Sequence, residues 1–349
     1  MRALTLVPLQ AGSLAVIDVA DPVAGPGELL VEGVALGVCG TDREIASGQY
    51  GWAPPGEDRL ILGHESLGRV LEAPEGSGFA PGDLVVGIVR RPDPEPCPAC
   101  ARGEFDMCRN GKYVERGIKE IHGYGSQLWT VEADYAVRLD PGLGTVGVLL
   151  EPTTVVAKAW DHIERIGNRA WFGPQRVLVT GAGPIGLLAA LLGVQRGLEV
   201  HVLDRAESGV KPKLVEDLGA IYHTGTIPDL ARHALPDIII EATGAPEVVL
   251  DAMENNAPAG IVCLTGVSSV GRAVPLDVGA VNREIVLQND VIFGSVNANR
   301  HHYELGADAL AKADRSWLER LITRRIPLER AAEAFTPGHD DVKVVLDLG

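Results

Sequence analysis

At 349 residues the chain exceeds one ordinary core and suits about two domains. With 46% hydrophobic and 22% charged residues it has a globular composition, which excludes a disordered chain, and no apolar run nears the ~20 residues of a membrane span. A net charge of −16 offers no basic surface to nucleic acid or an anionic membrane, and the N-terminus lacks a signal-peptide layout, so a cytoplasmic chain with neither partner is expected.

Up to about residue 150, Gly- and Pro-rich turns punctuate short apolar runs. Strands are predicted at 14–18, 29–36, 67–72 and 84–89, with polar loops at 92–98 and 110–125. This is the pattern of an all-β, barrel-like domain over residues 1–153. Of the five cysteines, Cys97, Cys100 and Cys108 cluster in a way that reads as metal binding, whereas Cys263 sits in an apolar run and reads as a buried hydrophobe.

After Glu151-Pro152 the pattern changes to a helix at 153–166, then strands at 177–180, 200–203, 238–241, 261–264 and 291–294. Helices at 185–196, 211–218 and 247–255 separate them, as in a doubly wound parallel sheet over residues 154–298. Residues 299–349 carry helices at 301–312 and 317–323 and a last strand at 342–348, a segment expected to return to the first domain.

Two constellations carry chemistry. Gly63-His64-Glu65 read alone is a polar turn, but with a thiolate from Cys39 it offers sulfur, nitrogen and oxygen to one point, a donor set suited to catalytic zinc. Downstream, Val177-Leu178-Val179-Thr180 runs into Gly181-Ala182-Gly183-Pro184-Ile185-Gly186 and an apolar helix, the order of a dinucleotide-binding turn. Asp204, about 20 residues on, is placed to hold ribose hydroxyls, which favours NAD; Arg205 beside it pulls toward NADP.

These motifs, with Gly37-Val38-Cys39-Gly40-Thr41-Asp42 and the cysteine cluster, resemble the zinc-containing medium-chain dehydrogenases from end to end. Within that group the chain is most similar to the archaeal-type glucose dehydrogenases, through Arg43-Glu44, Glu115-Arg116-Gly117-Ile118, His122-Gly123-Tyr124, Leu150-Glu151-Pro152, Asn282-Arg283-Glu284-Ile285-Val286 and Gly294-Ser295-Val296-Asn297. The resemblance implies a GroES-like β-barrel catalytic domain and a Rossmann domain, with a catalytic zinc held by Cys39, His64 and Glu65. Glu151 falls at the fourth metal position or against the substrate. It further implies that Glu115 and Asn297 contact sugar hydroxyls, that Asn297 also lies by the cofactor, and that Thr41 relays a proton.

A structural zinc would use Cys97, Cys100 and Cys108, but the family's first cysteine position holds Pro94, leaving Asp93 or Glu95 to complete the set. The expected reaction is oxidation of an aldose at C1 to the lactone, with hydride passing to NAD or NADP, in a homodimer or homotetramer. A polyol or secondary-alcohol dehydrogenase is the competing enzyme, and a non-catalytic nucleotide-binding protein the competing class.

Overall fold

In the computed structural model, which describes residues 1–269, 271 and 273–349, the chain forms two compact units. One comprises Met1–Glu151 with Ala298–Gly349, the other Pro152–Asn297. No helix among the described residues is long and apolar enough to cross a membrane.

The first unit is built on Glu28–Val38, whose alternating apolar residues place Leu29 and Val31 in the core. Glu65–Glu72 pairs antiparallel on one side of it and Lys343–Asp347 on the other, so residues from both ends of the chain meet across one strand. Leu84–Gly87 and Ala136–Arg138 extend one edge of this sheet, and Ile322–Pro327 extends the other. Leu36, Val70, Trp129, Val344 and Leu346 join the same core.

The strand expected at 67–72 begins at Glu65, which puts that carboxylate on the sheet and not in a turn. The strand expected at 84–89 stops at Gly87. Residues 110–125, expected as loop, contain Val114–Arg116 and Glu120–Ile121. Strands of two or three residues are too short to show a period-2 pattern. Val114–Arg116 also pairs with Arg90–Arg91, a strand no hydrophobicity pattern marks, because its buried guanidinium groups are neutralised by Glu115 and Glu132.

The second unit is a six-stranded parallel sheet in the order Ile221–His223, Glu199–Leu203, Arg176–Thr180, Ile238–Glu241, Ile261–Leu264, Val291–Gly294. Val177 to Val179 and Ile238 to Ile240 are buried without a break, as strands covered on both faces require. Connectivity reverses between Arg176–Thr180 and Ile238–Glu241, the switch point at which such sheets bind ligands beyond the strand carboxyl ends. Sequence reading missed Ile221–His223 for its shortness. It also missed the helix Val278–Gln288, which buries only Val281 and so shows no apolar stripe.

Candidate metal centre and nucleotide site

Cys39 ends the loop before the short helix Gly40–Ala46 and caps it reciprocally with Asp42. The Cys39 N–H donates to Asp42 Oδ2 at 2.9 Å, and the Asp42 N–H to the Cys39 sulfur. Asp42 Oδ1 lies 3.2 Å from His64 Nδ1, which turns His64 Nε2 toward Cys39 Sγ at 3.2 Å. The carboxylate thus fixes which imidazole nitrogen faces the centre, an arrangement typical of metal-ligating histidines.

Donor atoms of Cys39, His64 and Glu65 all lie within 4.8 Å of one another. Glu65 forms a fully buried ion pair with Lys343. Gly37, opposite Glu65 in the register, leaves room for it: a Cβ there would collide with the Glu65 carboxylate and approach Lys343 Cε to 2.9 Å. Glu151 stands outside the three-residue set but close enough to feel its charges.

Ionisable groups of both signs crowd the centre. Four acidic groups, those of Cys39, Asp42, Glu65 and Glu151, surround Lys343 and His64. Burial raises the Cys39 thiol, with His64 offsetting part of the effect. Burial would depress the His64 imidazole, but Asp42 and Cys39 lift it well above the ordinary histidine value. Burial also pushes Glu151 up to about 7; His64 and Lys343 oppose this and Glu65 reinforces it. Burial pushes Asp42 up as well, but His64, the Cys39 N–H and Lys343 together hold it below the usual carboxylate value. Once deprotonated, the sulfur, nitrogen and oxygen donors fit zinc.

Near neutral pH the metal-free Cys39 and His64 therefore hold their protons and Glu151 holds part of one. Metal ligation displaces these protons, so apparent zinc affinity should climb between pH 6 and 8 by up to about tenfold per unit for each proton released. Calorimetric titration in two buffers of different ionisation enthalpy measures the release. A pH-independent affinity with no proton release would refute this account of the centre.

Thr41, the expected relay, is half-buried in the first turn of the capped helix, beside Tyr50. Glu115 lies on Val114–Arg116, where its Oε1 accepts from Arg90 Nε at 3.1 Å and Nη2 at 2.9 Å. Neither Tyr50 nor Lys343 was anticipated. Tyr50 sits in a glycine-rich loop that gives no signal, and Lys343 reaches the centre only through sheet pairing.

The three clustered cysteines converge as expected, their thiols within 4.8 Å of one another. The Arg109 N–H reaches Cys97 Sγ at 3.4 Å, and main-chain donors led by Arg109 and Cys100 hold Cys97 down to about 6, while burial raises Cys100 to about 11. Of the two fourth-ligand candidates, Glu95 is exposed. Asp93 is buried, with Oδ1 accepting from the Glu95 N–H and Oδ2 lacking a hydrogen-bond partner among the described residues.

In the second unit, Gly181 takes φ 86°, a left-handed turn at the end of Arg176–Thr180. Gly186 packs so closely on the Gly181 carbonyl that a Cβ would overlap it. Pro184 opens the helix Pro184–Gln195 after Gly183, followed by Ile185. Asp204 is anchored before any ligand arrives: Oδ2 accepts from the Ala182 N–H at 2.7 Å and Oδ1 from the Ala206 N–H at 3.0 Å. Burial pushes its pKa up, but these bonds and Lys211, 3.4 Å away, bring it below the usual value.

A cavity of about 520 Å³ is lined by Thr180, Gly181, Asp204, Arg205, Lys211 and Thr243, among others. Lys211 was missed by sequence reading, although a cation in the first turns of the helix after Asp204 was a usable signal. Asn297 follows the edge strand Val291–Gly294 at φ 61°, a conformation asparagine tolerates, and buried Lys158 donates to the neighbouring Val296 carbonyl at 3.0 Å.

A family profile described as Alcohol dehydrogenase GroES-like domain matches residues 25–141, and one described as Glucose dehydrogenase C-terminus matches residues 144–348. The chain is 42% identical to glucose 1-dehydrogenase of Methanocella arvoryzae, over 100% of both chains. Against glucose 1-dehydrogenase of Thermoproteus tenax the identity is 40%, over 100% of this chain and 99% of that one. Its fold is similar to that of Haloferax mediterranei glucose dehydrogenase in complex with NADP, Zn and gluconolactone. That match has a TM-score of 0.92 and 32% identity, and covers 100% of this chain and 99% of the other.

Proposed function

Because the chain belongs to the glucose dehydrogenase family, we propose that it oxidises an aldose such as glucose at C1 to the lactone, with zinc as metal and hydride passing to NAD or NADP. The observation that carries this reading is the convergence of Cys39, His64 and Glu65 on one point, with Glu151 beside them. When bound, zinc supplies Lewis acidity toward the C1 hydroxyl and the nicotinamide accepts the hydride.

The chain's own residues do the rest. Asp42 orients His64, and Lys343 with Gly37 holds Glu65. Glu151, buried beside the three donors, takes or returns a proton at its carboxyl group, and the Thr41 hydroxyl passes the substrate proton onward. Glu115, fixed by Arg90, and Asn297 bind sugar hydroxyls. Asp204 binds the adenosine ribose, with the Gly181 to Gly186 turn under the pyrophosphate.

A rate screen of aldoses, polyols and simple alcohols with each cofactor tests the reading. Aldose turnover that stops on chelation is expected. Turnover of polyols or alcohols without aldose activity would replace the substrate class, and tight cofactor binding without any turnover would remove the enzyme reading altogether. Lys211, beside Asp204 in the cavity, makes NADP acceptable as well as NAD. Lys211→Met should cut kcat/KM for NADP about tenfold while sparing NAD, the scale of one charge-assisted hydrogen bond. An unchanged NADP/NAD ratio would remove Lys211 from cofactor choice.

A second zinc belongs to Cys97, Cys100 and Cys108, with the buried Asp93, whose Oδ2 has no hydrogen-bond partner among the described residues, offered as fourth donor. Metal analysis should give two zinc per chain and one in Asp93→Asn; two in the variant would eliminate Asp93. The edge strand Val291–Gly294 and the exposed Val278, Val286 and Leu287 of the adjoining helix suit pairing with a second copy. Light scattering should find a dimer or tetramer, and a monomer would exclude it. The free cysteines, with no disulfide among the described residues, suit the reducing cytoplasm.

A further inference from the structure

Glu241 entered the sequence reading only as the end of a strand. Its side chain is fully buried, and among the described residues no lysine, arginine or histidine pairs with it. A buried, unpaired carboxylate is costly unless hydrogen bonds replace its hydration. Here the donors come from two separate turns. Oε1 accepts from Thr180 Oγ1 at 3.1 Å and from the Thr243 N–H at 2.7 Å, and the Thr243 hydroxyl also reaches it. The Gly244 N–H spans both oxygens, 3.2 Å from Oε1 and 3.1 Å from Oε2.

The main chain of the same residue ties in a third turn. The Glu241 carbonyl accepts from the Thr265 N–H and Oγ1, each at 2.8 Å, and from the Gly266 N–H at 3.0 Å. These turns follow the strands Arg176–Thr180, Ile238–Glu241 and Ile261–Leu264, three neighbours at the switch point of the sheet. They pack without slack: a Cβ on Gly181 would sit 3.0 Å from Thr243 Cγ2, and one on Gly266 2.7 Å from Glu241 Oε2. Thr180, Gly181 and Thr243 line the dinucleotide cavity, while Glu241 lies behind it.

We propose that Glu241 is the positioning residue of the dinucleotide site, its buried carboxylate locking the phosphate turn after Thr180 to the Thr243–Gly244 turn at the separation the cofactor needs. This rests on the reading of that cavity as the cofactor site. An acceptor-only group is required, because both oxygens receive main-chain N–H bonds. Glutamine keeps the size but presents an NH₂ group to one of those donors. The spacing of the turns is common to both cofactors, so its disturbance weakens them equally, unlike a change at Asp204, Arg205 or Lys211.

The test measures NAD and NADP dissociation constants by fluorescence on the full-length protein, without sugar. Glu241→Gln should raise both by about tenfold or more with their ratio preserved, while zinc content and the KM for sugar stay within about twofold of wild type. A folded variant with wild-type affinity for both cofactors, or with a loss confined to one, overturns the proposal. If Glu241→Gln does not fold, Thr180→Val, which deletes one donor at constant size, decides: weaker binding of both cofactors supports the lock, and unchanged binding refutes it. Wild-type protein that binds neither dinucleotide would sink the cavity assignment instead.

Discussion

His64→Ala is expected to lower kcat/KM for glucose by roughly 10³- to 10⁴-fold and to leave the catalytic site without stoichiometric zinc, since Lewis acidity supplies several kcal/mol and each 1.36 kcal/mol is tenfold in rate. The loss is large because His64 is coupled on both sides. It offers Nε2 to the centre beside Cys39 and takes its orientation from Asp42, so no neighbour can replace it without rebuilding the capped helix. Asp42→Asn should be milder, since the amide keeps the shape and loses the charge that fixes the imidazole; loss of an outer partner of this kind costs about 10- to 100-fold. Steady-state rates with metal analysis on the same samples measure both. His64→Ala retaining zinc and more than a tenth of the activity would show that the metal is held elsewhere.

Lys343→Met carries the largest expected effect on stability. Lys343 and Glu65 are both almost wholly buried, and removing one member of such a pair strands the other charge, at a cost of about 3–5 kcal/mol. The cost should be greatest in chelated protein and shrink when zinc is supplied, because the cation then faces Glu65 in place of the ammonium. Glu65→Gln combined with Lys343→Met should recover part of the loss, as both charges are then absent. Urea unfolding with and without chelator measures all four combinations. A chelated Lys343→Met protein as stable as wild type would mean that the pair contributes nothing to the fold.

What could be read in the chain divides by range. Val177 to Thr180 with Gly181, Gly183 and Gly186 is a local device in which strand, turn and helix follow one another, and it folded as read. Ile238–Glu241 and Ile261–Leu264 were legible to the residue because buried parallel strands are continuous apolar runs, and the half-buried edge strand Val291–Gly294 was legible from its short apolar run closed by glycine. The convergence of Cys39, His64 and Glu65 was legible through the motif order. Lys343 was not, since nothing near it marks a buried ammonium and only the pairing of Val345 with Gly37 carries its strand to the centre. Arg90–Arg91 failed for a related reason: charge pairing, not hydrophobicity, makes those residues interior.

The insertion of Lys343–Asp347 beside Glu28–Val38 orders events during synthesis. Cys39, His64 and Glu65 leave the ribosome early, and the strands that hold them can begin to pair while the second unit is still being made. Their counter-charge arrives last. Until the final strand slots in, Glu65 lacks the ammonium that pairs with it, and one edge of Glu28–Val38 stays open. Zinc captured at that stage would template the half-built sheet, and the closing strand would then seal the ion behind it.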